Sequence, residues 1–281
     1  MALETRVYQK ERTIKFGALL KASLKDMYQS RFLARQLAER DIKALYRQSY
    51  LGIIWAFVTP LATAFVWIIL NSSGTVKLSD TGVPYPVYAF TGTLIWSIIV
   101  ASINSPMQST QAAKGILTKI NFPKEALLLS GIYKLLFDSS IKVILLLLFV
   151  FFYGVGYHWS LLLFPVAIMG AILFGTTLGL FVTPIGLLYK DIGKIIAFGM
   201  QFIMYVTPVV YAIPETGLMK TIMTWNPITP IVLTARDLVV GFSPDYLPFF
   251  FGVVAVCIPL LFLGLIVYRI AIPIIVERLS A

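Results

Sequence analysis

Residues 187–196 read LLYKDIGKII, three charged groups (Lys190, Asp191 and Lys194) set between two long apolar runs. Charges this close to apolar sequence need water or a partner, so the question is which side of a barrier the stretch faces. Composition supplies the barrier. Of 281 residues 58% are hydrophobic and 13% charged, where a soluble domain carries about 25% charged; this is a membrane protein. One cysteine, Cys257, and one histidine, His158, exclude a disulfide framework and argue against a dedicated metal site. The net charge of +10 would suggest nucleic acid in a soluble protein. Here the position of the charges matters more, and no nucleic acid partner is expected.

A spanning helix needs about 20 mostly apolar residues to cross about 30 Å of hydrocarbon. Six stretches qualify: 50–71, 86–106, 136–156, 161–188, 192–212 and 246–269. Pro60, Pro165, Pro184 and Pro208 fall in or at the ends of these runs and do not veto them, because neighbouring helices satisfy the backbone groups they free. The expected fold is an all-α integral membrane protein with six transmembrane helices. Residues 1–49 hold eleven Lys or Arg against five acids, too long and too charged for a secretory leader, so the N-terminus is expected in the cytoplasm. With that start, twenty of the 23 basic residues fall on the cytoplasmic side, and Lys77, Lys220 and Arg236 fall outside. The positive-inside rule then places both termini inside and makes LLYKDIGKII a tight cytoplasmic turn. Anchoring a helical hairpin at the headgroups is one reading of that turn, and touching a partner is the other.

Residues 31–47, RFLARQLAERDIKALYR, sort on a helical wheel. Leu33, Ala34, Leu37, Ala38, Ile42, Ala44 and Leu45 share one half, with Asp41 as the exception. Arg35, Glu39, Arg40, Lys43 and Arg47 take the other half. This predicts an amphipathic helix in the membrane interface, inside a cytoplasmic segment 1–49 that precedes a membrane domain 50–281. Residues 109–131, STQAAKGILTKINFPKEALLLSG, predict a short helix ending near Asn121, interrupted by Pro123, with Lys124 and Glu125 opening the third span. Asp138 and Lys142 are one turn apart and can pair, so Lys142 need not be a bare charge in lipid. None of these pieces is a catalytic domain, and the chain lacks GxxxxGK[ST], so it does not cradle ATP in the P-loop manner.

Two rows of polar and aromatic residues run along the spans. Trp55, Thr59, Thr63 and Trp67 recur every four residues in span 1, a ridge that drifts about 40° per turn. Gln201, Tyr205, Pro208 and Tyr211 form a similar row in span 5. Rings with hydroxyls and no fixed charge suit a sliding sugar polymer, although Trp and Tyr also anchor helices at interfaces. The segment 213–245 is too broken by Pro214, Pro227, Pro230 and Gly241 to span. Its stretches GLMKTIMTW and PIVLTARDLVVG predict short re-entrant helices between spans 5 and 6.

Four segments, YRQSYLGIIWAFVTPL (46–61), INFPKEALLLSG (120–131), LLYKDIGKIIAFGMQFIMYVTPVVY (187–211) and WNPITPIVLTARDLVVG (225–241), resemble in order and spacing the membrane subunits of bacterial polysaccharide ABC exporters. These are the ABC-2 type permeases that move lipid-linked O-antigen, capsular polysaccharide or teichoic acid. The resemblance covers about residues 30–270. It implies an inner-membrane permease working as two copies with two separate ATP-binding cassette subunits, which bind ATP and Mg. It further implies that Arg35, Arg40, Lys43, Lys114, Lys119, Lys190 and Asp191 face those ATPases. Spans 1 and 5 would border the translocation path, and Trp225, Arg236 and Asp237 would gate its external end. A lipid-linked polysaccharide, O-antigen first, is the implied cargo. The alternatives are an ABC-2 permease for a drug or lipid, an intramembrane transferase, and an ion-coupled transporter. The last two want clustered acids, bases or embedded carboxylates that the sequence offers only at Asp138 and His158.

Overall fold

The structure is a computed structural model that describes residues 16–47, 50–74, 82–117, 119–120, 122–189 and 191–280. Lys190 and Lys77 lie outside the described residues, as does Asn121. The described residues are organised in helices: α1 Phe16–Gln29, α2 Arg31–Arg47, α3 Trp55–Ser72, α4 Tyr85–Ala112, α5 Lys114–Leu117, α6 Glu125–Phe152, α7 Phe164–Leu188, α8 Asp191–Tyr205, α9 Leu218–Trp225, α10 Thr229–Val240 and α11 Leu247–Ser280. The chain is an all-helical, multi-pass membrane protein. Among the described residues five stretches are long and apolar enough to cross a bilayer: Gly52–Ser72, Tyr85–Ala112, Glu125–Phe152, Trp159–Leu188 and Leu247–Glu277.

The third of these begins at Glu125, eleven residues before the expected start at 136, because Pro123 and Lys124 already open the helix. The expected fifth span, 192–212, differs more. Its helix α8 stops at Tyr205, a length of 15 residues or about 22 Å. Pro208 has no N–H to continue the ladder, and the last turns tighten: Val206 N–H bonds Ile203 C=O at 3.2 Å and Thr207 N–H bonds Met204 C=O at 3.3 Å. The short helices expected between 213 and 245 are α9 and α10. Whereas α9 is mostly exposed, ten of the twelve residues of α10 are buried.

Buried along nearly its whole length, α4 is the centre of the molecule, packed by α7, α6, α3 and α10. Helices in lipid gain no hydrophobic drive from meeting one another, so close packing of small residues holds them. On α7, Gly175 and Gly179 face the α4 backbone. A Cβ at Gly175 would lie 2.7 Å from Ile99 O, and one at Gly179 would lie 2.4 Å from Ile103 O. On the other side Gly131 of α6 sits on the Ser105 and Ser109 hydroxyls of α4.

At one end of the bundle α2 lies on α6 with Ala34, Leu37 and Ala38 buried. Asp41, the misfit on its apolar half, reaches Lys134 of α6 at 2.8 Å. Beside it α1 is tied to two spans: Ser23 donates to Glu125 at 2.7 Å, and Arg269 of α11 bridges Asp26 at 2.7 Å and also pairs with Glu125.

Gly179→Ala should destabilise the protein by about 1–3 kcal/mol, the usual cost of overpacking, because the Ile103 carbonyl is backbone and cannot swing aside. Unfolding in mixed detergent measures it, and an unchanged midpoint would show that α4 and α7 have room to separate.

Candidate functional site

Trp55, Thr59 and Thr63 share one cavity of about 450 Å3 between α3, α4 and α6. Phe90, Thr93 and Ser97 of α4 line its other side, and Asp138 and Lys142 of α6 close it. The two charges pair at 2.7 Å, with 42% of the Asp138 side chain and 12% of the Lys142 side chain exposed. Trp67, the fourth member of the row, lies outside the cavity and packs on the core. The reason is the drift: three steps of about 40° carry it about 120° around the helix.

The α8 row points elsewhere. Gln201 and Tyr205 are exposed, while Tyr211 packs on the core and donates to the Tyr205 carbonyl. Neither Gln201, Tyr205 nor Tyr211 lines the α3 cavity. Within one chain the two rows therefore form separate surfaces.

Arg236 is almost fully buried, at 3% exposed, yet among the described residues it has no carboxylate within ion-pair distance. Its guanidinium lies 3.6 Å from the Tyr88 ring centroid. Its Nη2 donates to Pro208 O at 3.0 Å and to Val209 O at 2.6 Å. These carbonyls belong to the broken end of α8, so a cation and an aromatic face replace the missing turn of helix. Gly92 makes the room. A Cβ there would come 1.8 Å from Val209 O and 2.7 Å from Arg236 Nη2.

Asn226 grips the same break from the next element. It donates to Val206 O at 3.1 Å and to the Thr207 hydroxyl at 2.8 Å, while its Oδ1 accepts from Ile228 N–H at 2.9 Å as α10 begins. Sequence reading missed this residue, although an Asn shortly before a helix can bond the backbone N–H two residues on as an Asx turn. Of the other gate candidates, Trp225 is 84% exposed and Asp237 is half-buried beside Arg236.

The basic residues of the expected partner surface separate into two groups. On α2, Lys43 pairs with Glu39 at 2.7 Å, Arg40 pairs with Asp41 at 2.7 Å, and Arg35 is exposed. Burial alone would raise the Asp41 carboxyl, but hydrogen bonds from Lys134 and Arg40 outweigh it and hold the carboxyl below its ordinary value. Near α5, Lys114 and Gln111 share a cavity of about 340 Å3 with Gly186, Leu187 and Gly193, which brings the loop after α4 against the turn before α8. Asp191 opens α8, where its charge suits the helix N-terminus, and it faces Lys194 at 3.7 Å with both side chains solvated. Lys119 is exposed.

The part-buried cluster that joins Ser23, Asp26, Glu125 and Arg269 was also missed. A glutamate just after a proline, and an arginine inside the last apolar run, were its only sequence traces.

Residues 32–240 match the ABC-2 type transporter family. The chain is 26% identical over 212 residues to an O-antigen export system permease protein of Myxococcus xanthus, covering 74% of this chain and 80% of that protein. It is 26% identical over 249 residues to an O-antigen export system permease protein of Klebsiella pneumoniae, covering 84% and 92%.

Arg236→Met leaves two buried carbonyls without a donor and should cost about 2–3 kcal/mol, whereas Trp225→Ala should stay within about 0.5 kcal/mol; denaturation of the two variants in detergent compares them. Asp41→Asn should cost about 1 kcal/mol at neutral pH. Because the Asp41 carboxyl is held low in the folded chain, its contribution is complete above the ordinary carboxylate value of about 3.9 and is lost as pH falls through the lowered value. The gap between wild type and Asp41→Asn should therefore close in acid, and a gap independent of pH would assign the effect to packing.

Proposed function

The chain belongs to the ABC-2 type transporter family and is a transporter membrane subunit, not an enzyme. We propose that it is the permease of an ATP-driven exporter that carries a lipid-linked polysaccharide, most simply O-antigen, across the bacterial inner membrane. The observation that carries this reading is the match through most of the chain to two permeases whose names specify O-antigen export.

In this reading the chain crosses six times, α8 and the stretch to Tyr211 serving together as the fifth crossing, with both termini in the cytoplasm. Residues 1–49 form the cytoplasmic segment and 50–281 the membrane domain. Two copies assemble, so that the α3 row of one faces the α8 row of the other. Exposure of α3 along nearly its whole length, with only Ala64 fully buried, supports this, since a span left bare by its own chain is available to a second. Trp55, Thr59 and Thr63 then face a shared conduit with Gln201, Tyr205 and Tyr211, and Trp67 supports the row from the packed side.

Two ATPase subunits, binding ATP and Mg, dock on the cytoplasmic face. Lys114, Lys119 and Asp191 form one contact beside α5, with Lys190 assigned to the same partner from the sequence alone, and Arg35, Arg40 and Lys43 on α2 form another. Outside, α9 and α10 close the exit, with Trp225 at the surface and Arg236 and Asp237 at the root.

Gentle purification of the tagged chain from native membranes should bring an ATP-hydrolysing subunit in equal amount. Trp55→Ala and Tyr205→Ala should each slow polymer export by about tenfold, equal to about 1.4 kcal/mol, at normal protein level. A chain that always purifies alone, or full export by both variants, would overturn the reading. Restored export of a small lipid with no polymer would favour a lipid permease instead.

A further inference from the structure

Neither the gate nor the docking surfaces use the Asp138–Lys142 pair, which begins one turn along α6 from Lys134 and its α2 partner Asp41, on a span where ionisable groups are rare and functional. Pairing accounts for the charge of Lys142 but not for the cavity around it. The hydrogen-bonding inventory of that cavity is specific. Thr59 donates to Trp55 O at 3.0 Å, Thr63 to Thr59 O at 3.1 Å, Thr93 to Ala89 O at 2.9 Å and Ser97 to Leu94 O at 2.7 Å. Each hydroxyl has spent its single proton on its own helix and presents lone pairs only. One Lys142 proton is used on Asp138, which leaves two ammonium donors and one carboxylate oxygen. The cavity is therefore neutral in sum, rich in acceptors, and walled on one side by the Trp55 ring and Phe90.

A phosphate or carboxylate brings acceptors and negative charge to acceptors and a carboxylate, opposite a cation that is already neutralised. Hydrocarbon would leave two Lys142 protons and the second Asp138 oxygen without partners. A neutral polyol brings hydroxyl donors for the Thr and Ser oxygens and Asp138, oxygens for Lys142, and a C–H face for the indole. The volume of about 450 Å3 falls within the range of small-molecule pockets, about 300–1,000 Å3. We propose that the cavity between α3, α4 and α6 is a saccharide subsite that accepts a neutral sugar unit through Asp138, Lys142 and Trp55 and rejects anionic ones. It rests on the export reading only for the supply of that sugar.

The test is saturation-transfer NMR on the full chain in nanodiscs, with mannotetraose as the neutral probe and tetragalacturonate as the anionic one. Wild type should bind mannotetraose saturably and tetragalacturonate about tenfold more weakly. Two variants separate contact from charge balance. The reversed pair, Asp138→Lys with Lys142→Asp, keeps an ion pair on one helix turn. The double Asp138→Leu with Lys142→Leu removes the charges and carries the test if the reversed pair does not fold. Both should lose mannotetraose binding about tenfold at normal protein level. Equal binding of the two probes, no binding of either, or unchanged mannotetraose binding in the folded variants would reduce the pair to a structural one. Export by wild type and its dependence on Tyr205, which is outside this cavity, are measured separately, so the subsite can fail while the export reading stands.

Discussion

Water is absent from the hydrocarbon, so each polar group of the backbone has to be paired by the protein itself, and the arrangement around α4 follows from this. Glycines on α7 and α6 let their backbones or hydroxyl neighbours touch α4 directly, and the hydroxyls of α4 fold back onto its own carbonyls: Ser102 to Ile98 O at 2.7 Å, Ser109 to Ser105 O at 2.6 Å, Thr110 to Pro106 O at 2.7 Å. Polar side chains thus line a buried helix without asking its neighbours for partners. Only then can the neighbours be chosen for size, and glycine is the size that fits.

The ladder of α8 fails at its C-terminal end, and the side chains of Arg236 and Asn226 converge there. The two come from consecutive short elements and take up the carbonyls of Val206, Pro208 and Val209, left open where α8 ends. The break and α10 are consequently bound as one piece, resting on Tyr88 of α4. Movement of α8 cannot leave α10 where it is without stripping a buried guanidinium of its acceptors, which is far costlier than moving both.

The sequence made the spans legible wherever apolar runs were uninterrupted, and the wheel of 31–47 already singled out Asp41 as out of place. Its partner, Lys134, could not be read, because an ion pair between α2 and α6 depends on how an interface helix is laid against a span. The partners of Arg236 could not be read either: nothing local in the broken segment announces that carbonyls more than twenty residues earlier will satisfy it. Trp67 was grouped with Trp55 by spacing alone, and the accumulated drift of the helix separates them. The row that survives is shorter, and it shares its cavity with a charged pair that spacing had explained by itself.

The charges inside the membrane part are neutralised in two different ways, and the difference limits what each can do. Arg269 has carboxylate partners on α1 and α6 and Lys142 has one a turn away on its own helix, so the charge of Lys142 is balanced wherever α6 goes and its unused protons are free to meet a visitor. Arg236 is balanced by dipoles of fixed backbone and by one ring, a partnership that exists in only one geometry. A group of the first kind can stand in a cavity and exchange contacts with a passing ligand at little cost. A group of the second kind is suited to holding a position, because every displacement removes acceptors that nothing nearby replaces. Placing the mobile kind beside Trp55 and the fixed kind at the root of α10 divides the molecule into a surface that can release what it touches and a joint that cannot.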